Sequence, residues 1–147
     1  MVGYTRDKRQ RVGVREMGGY GFLAVGVGAA LGAWLRWWLG ILLNPLIPTL
    51  PLGTLAANLI GGYLVGVAVS YFTDHAGLPP EARLFIITGF MGGLTTFSTF
   101  SAESVTLFSR SQYLWALSHI VMHLGGSLLM TILGMASYSL LKSLGKA

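Results

Sequence analysis

Cysteine is absent from this chain of 147 residues, which excludes a disulfide framework, a thiolate metal centre and a cysteine nucleophile. Charge is scarce as well: Asp, Glu, Lys and Arg make up 10% of the sequence, against the ~25% of an average soluble domain. Only five residues are acidic, and no nucleotide-binding loop occurs, so ATP-driven transport lacks its parts. Proline is confined to two places, Pro45 to Pro51 and Pro79-Pro80, and leaves the sequence between them free to form long helices. What is abundant is apolar: 53% of residues are hydrophobic and 21 are glycine. Glycine weakens soluble helices, but in lipid, where apolar side chains gain little from meeting one another, small residues let backbones approach closely. The expected solvent is the bilayer.

Four apolar runs are long enough to cross it, which takes ~20 residues each. They fall at about 17–43, 54–72, 84–108 and 113–141, divided by Asn44, Pro45, Pro48 and Pro51, by Asp74 to Pro80, and by Ser109 to Gln112. The sequence therefore divides into a basic tail, 1–16, expected to be disordered, and a transmembrane domain, 17–147. The first run exceeds what a signal peptide needs, so cleavage is not expected. The net charge of +5 comes largely from the tail, where Arg6, Lys8, Arg9, Arg11 and Arg15 stand with no reading face beside them. That pattern suits anionic lipid and not nucleic acid. Four spans put both termini on one side, with Arg83, Lys142 and Lys146, and leave Arg36 and Arg110 opposite. Positive charge places the termini in the cytoplasm, but without the tail the balance is three against two and the core is orientation-neutral.

Polar residues inside the spans mark the candidate site. Gly89-Phe90-Met91-Gly92-Gly93-Leu94-Thr95-Thr96-Phe97-Ser98-Thr99-Phe100-Ser101 has too many glycines and hydroxyls for an ordinary lipid-facing helix, and predicts a mid-membrane break whose freed carbonyls can hold a cation. The plainer reading is close packing at Gly92 and Gly93, with hydroxyls bonding back one turn. Phe97 and Phe100, three apart, share a face if the helix resumes, and Glu103 continues it. Their ring edges could attract a small anion weakly; the alternative is packing filler. Thr54 and Asn58 lie four apart on the second span, the Asn amide serving either as interhelical glue or as an anion donor. His119, His123 and Ser127 repeat the four-residue step on the fourth span. Two histidines so spaced can ligate a metal, but the remaining carboxylate, Glu103, is distant in sequence, so no metal is expected there. Arg36 is expected to snorkel to the interface, and Glu103 to sit at a vestibule on the same side.

Three stretches carry a resemblance: Gly-Ala-Ala-Leu-Gly-Ala-Trp-Leu-Arg (28–36), Pro-Leu-Gly-Thr-Leu-Ala-Ala-Asn-Leu-Ile-Gly (51–61) and Gly-Phe-Met-Gly-Gly-Leu-Thr-Thr-Phe-Ser-Thr-Phe-Ser-Ala-Glu (89–103). Together they resemble the signatures of the Fluc (CrcB) family of fluoride channels, over essentially the whole chain after the tail. The resemblance implies an all-α membrane protein of four transmembrane helices with a break in the third. It further implies an antiparallel, dual-topology homodimer in the cell (inner) membrane that exports cytoplasmic fluoride passively, with no enzymatic activity. It places fluoride pore residues at Thr54, Asn58, Phe97, Phe100 and Glu103, to which the hydroxyls of Ser98 and Thr99 between the two rings are added as candidates, a structural role at Arg36, and a structural Na+ on the backbone carbonyls of Gly92 and Thr95 with their copies in the partner. On the fourth helix the family usually has a tyrosine and two serines where this chain has His119, His123 and Ser127, so two of these pore positions have become titratable. The competing class is a small proton-coupled multidrug exporter of four helices, which needs a membrane-embedded carboxylate in an early helix; the first two spans contain none.

Overall fold

The computed structural model describes the backbone of residues 8–47 and 49–145, and side chains from Gly18 onward within those limits. Among the described residues the chain is entirely helical. Helix α1 runs Lys8–Leu43 and ends in a 3-10 turn, Asn44–Leu46, where Pro45 cannot continue the ladder. Helix α2 is Leu52–Asp74. The third span is composite: α3, Pro80–Arg83, a π-helical stretch Leu84–Met91, α4, Gly92–Leu94, and α5, Phe97–Ser109. Helix α6 is Tyr113–Leu144. Four stretches, Gly18–Leu46, Leu52–Asp74, Pro80–Ser109 and Tyr113–Leu144, are long and apolar enough to cross a membrane, and the expected runs fall within them but for residue 17.

The tail expected over 1–16 meets the start of α1 at Lys8. Residues 8–16 continue α1, the first seven lying outside the described residues. Lys, Arg, Gln and Glu are good helix formers, and extending a nucleated helix adds one hydrogen bond per residue fixed.

Helix α1 packs on the third span and α2 on α6. Glycine permits both contacts. A Cβ on Gly32 would stand 2.1 Å from the Phe90 carbonyl oxygen, and one on Gly134 would stand 2.1 Å from that of Tyr63. Such approach gives close packing without a hydrophobic driving force. Thr131 adds polar glue, its hydroxyl donating to the Gly62 carbonyl at 3.1 Å. At the helix ends, Gly53 N–H donates to Asn44 Oδ1 (2.8 Å), and Lys142 pairs with Asp74 between α2 and α6. Much apolar surface faces outward, including Phe22, Trp34, Trp37 and Leu128, as a chain solvated by lipid requires.

Candidate functional site

The site is organised around two residues that leave the helical conformation. Thr95 (φ −80°, ψ 154°) and Thr96 (φ −149°, ψ 119°) are extended between α4 and α5. In a continuous helix, Thr96 N–H would donate to the Gly92 carbonyl and Thr99 N–H to that of Thr95. Here Thr96 N–H donates to Asn58 Oδ1 at 2.8 Å, and Thr99 N–H to the Thr96 hydroxyl oxygen at 3.1 Å. The carbonyls of Gly92 and Thr95 are thereby released from the ladder. Asn58 completes the junction by donating from Nδ2 to the Thr96 carbonyl at 3.1 Å, so one amide replaces both main-chain partners of Thr96. Thr96 is also the N-cap of α5. Arg36, expected to snorkel to the interface, donates from Nε to the Gly93 carbonyl at 3.1 Å and so ties the first span to the break.

The second amide hydrogen of Asn58 reaches Nδ1 of His123 at 3.0 Å. An amide nitrogen can only donate, so Nδ1 accepts and the proton of the neutral ring sits on Nε2. Phe100 stacks on both imidazoles, with ring centroids 5.4 Å from His119 and 4.9 Å from His123, and the two imidazole centroids are 4.3 Å apart. Glu103 lies across from them. Its Oε1 accepts from the buried Thr54 hydroxyl at 2.7 Å, and its Oε2 is 3.5 Å from His119 Nε2. Glu103, distant from the histidines in sequence, is thus their neighbour in space. Helix α5 packs against α6, so residues 16 apart in sequence become neighbours.

Beside this cluster runs a groove of about 310 Å³, lined by Asn58, Thr95, Thr96, Phe97, Phe100, His123, Ser127 and Thr131 among others. Phe97 and Phe100 stand together, centroids 5.5 Å apart, with Phe97 76% exposed at the groove's outer edge. Thr99 accepts from the Thr96 hydroxyl at 3.0 Å, whereas Ser98, although 3.2 Å from that hydroxyl, is exposed. Hydroxyls do bond back one turn where the plainer reading put them, at Thr95 to Met91 and Ser101 to Phe97, both 2.8 Å. Sequence reasoning gave no role to Thr96 or Thr131. Thr96 is one of several hydroxyl residues over 95–101 that could cap a helix, so the sequence does not single it out, and Thr131 carries no signal at all.

A family model described as "CrcB-like protein, Camphor Resistance (CrcB)" matches residues 23–135. The chain is 70% identical over 118 residues to a protein of Nitrosospira multiformis named "Fluoride-specific ion channel FluC", a match covering 80% of this chain and 92% of that one. Proteins of the same name from Ralstonia pickettii and Thiobacillus denitrificans are 68% identical over 118 residues and 60% identical over 121, covering 80% and 82% of this chain and 94% and 98% of theirs.

Proposed function

The chain belongs to the CrcB-like protein family, and from that membership we propose that it is a fluoride channel, a multi-pass membrane protein through which the ion leaves the cytoplasm passively. The identity of the ion comes from the relatives; the observation that carries the path is the groove beside Phe100. Fluoride is small and strongly hydrated, so a conduit must replace its water with weak donors and avoid a charge that would trap it. The groove is lined by the Ser127 hydroxyl, the phenylalanine rings of Phe97 and Phe100, and the amide of Asn58. Asn58 already spends both amide hydrogens, so an arriving anion competes with His123 Nδ1 for one of them.

The full pore, in this reading, takes a second copy inserted in the opposite orientation. Phe97 is exposed at the groove's edge, and a side chain built on Gly92 would meet nothing within 4 Å, so this face has room for a partner. The released carbonyls of Gly92 and Thr95 belong to the same break. Four such oxygens, two from each copy, suit a structural Na+, which would fix the two breaks against one another. We place the dimer in the cell's inner membrane, where the negative interior drives anions outward.

The test is fluoride efflux from liposomes holding the purified protein, measured against chloride and a drug cation. Fluoride is expected to leave quickly and the others not at all; efflux of the drug cation alone would favour the exporter class.

A further inference from the structure

We propose that Glu103, His119 and His123 form a binding site for a divalent transition cation, with zinc as its representative, set beside the path described above, whose wall it shares at His123. One ligand atom from each of the three lies within 4.8 Å of the others. His119 is fully buried and His123 is 3% exposed. Among the described residues, both ring nitrogens of His119, Nε2 of His123 and Oε2 of Glu103 have no hydrogen-bond partner. Buried polar groups are ordinarily satisfied, and a converging set of unsatisfied donors and acceptors is what a ligand would complete.

The chemistry of the set selects the ligand. Two imidazoles one helical turn apart on α6 and one carboxylate from α5 make two nitrogens and an oxygen, a set used by zinc, whereas magnesium and calcium favour oxygen alone. Ligands ~2.0–2.1 Å from a tetrahedral zinc lie ~3.3–3.5 Å from one another. The Glu103 to His119 separation of 3.5 Å already meets that spacing. His123 would close the remainder by a side-chain adjustment. The outer contact is also in place, because Thr54 engages Oε1 of Glu103 and leaves Oε2 to the metal.

One contact opposes capture. Zinc needs the Nε2 lone pair of His123, which puts the ring proton on Nδ1, where Asn58 also presents a hydrogen. The Asn58 to His123 bond must be given up, while the two Asn58 bonds to Thr96 remain. An acceptor at position 58 would remove this opposition and orient the ring for the metal, as carboxylates do behind zinc-bound histidines.

A zinc held by one carboxylate leaves a net positive charge and an open fourth position. On the reading of the groove as a fluoride path, that position would hold the anion too tightly to release, and zinc would block conduction. Zinc binding itself does not depend on that reading.

The experiment uses full-length protein prepared without a polyhistidine tag, stripped with chelator and dialysed against zinc chloride. One zinc per chain is expected, undisplaced by a hundredfold excess of magnesium. Affinity should fall at least tenfold in Glu103→Gln and in the His119→Tyr, His123→Ser double variant, with native elution on size exclusion checked for each. It should rise in Asn58→Asp. No zinc bound, or equal binding in the double variant, overturns the site. In liposomes zinc should stop wild-type fluoride efflux, a chelator should restore it, and the double variant, normalised to its own zinc-free flux, should be indifferent. Zinc bound with undiminished efflux would overturn its effect on the path. Absence of fluoride efflux with and without zinc would overturn the channel reading instead, and leave the dialysis result standing.

Discussion

At the scale of single residues, Asn58 holds the break open with three hydrogen bonds, two of them to the main chain of Thr96. Asn58→Ala leaves the buried Thr96 N–H and carbonyl unpaired, and each buried group left unsatisfied costs ~1–3 kcal/mol. We expect a lower melting temperature in detergent together with loss of fluoride efflux; a variant melting like the wild type would show that the junction is held by something else. Phe100→Ile keeps the volume apolar but removes the ring that stacks on both imidazoles. Losing one transition-state contact of ~1.5–3 kcal/mol slows passage by roughly 10- to 100-fold, so efflux should fall by that order with elution on size exclusion unchanged. Unaltered efflux would remove Phe100 from the path. Both residues were legible in the sequence, because an amide and an aromatic pair are conspicuous in apolar helices. The partner of Asn58 was not legible: it is backbone, and every residue has the same backbone. Glu103 beside His119 was hidden for a related reason, since only the packing of α5 on α6 brings it there.

At the scale of elements, the four spans were readable from apolar length and from where Pro, Asn and Asp interrupt it. The π-helical stretch Leu84–Met91 was not, because a wider helix leaves the apolar pattern unchanged and shifts only which face each residue presents. Glycine positions were visible, but not which of them touch backbone. On α6 the two kinds can be compared directly. A Cβ on Gly134 would meet the Tyr63 carbonyl oxygen at 2.1 Å, whereas one on Gly125 meets nothing within 4 Å. Gly134→Ala therefore forces α2 and α6 apart, and overpacking costs ~1–3 kcal/mol. The expected outcome is a clear drop in melting temperature and yield for Gly134→Ala and little change for Gly125→Ala. Equal behaviour of the two would mean that close approach of these helices contributes nothing to stability.

At the scale of the whole molecule, the question is which way the chain enters the membrane. With four spans the termini and the loop before the third span share a side, carrying eight basic residues against two opposite, but five of the eight belong to the first fifteen positions. Orientation follows positive charge close to the spans, so the core by itself has almost no preference and the tail is the one strong bias. An antiparallel pair needs both orientations, and the proposed sodium site needs the pair, since one copy offers only the released carbonyls of Gly92 and Thr95. We therefore expect both orientations to coexist in spite of the tail. The chain contains no cysteine, so a single introduced thiol reports alone. Gly77 is exposed, lies in the loop between α2 and α3, and has open space where a side chain would stand. In intact cells an impermeant maleimide should modify a substantial part of Gly77→Cys, and the rest should react only after the membrane is opened. Deleting residues 1–16 should move the two fractions closer to equality. A single labelled population in protein that still conducts fluoride would overturn the antiparallel dimer, and with it the assignment of Gly92 and Thr95 to a shared cation.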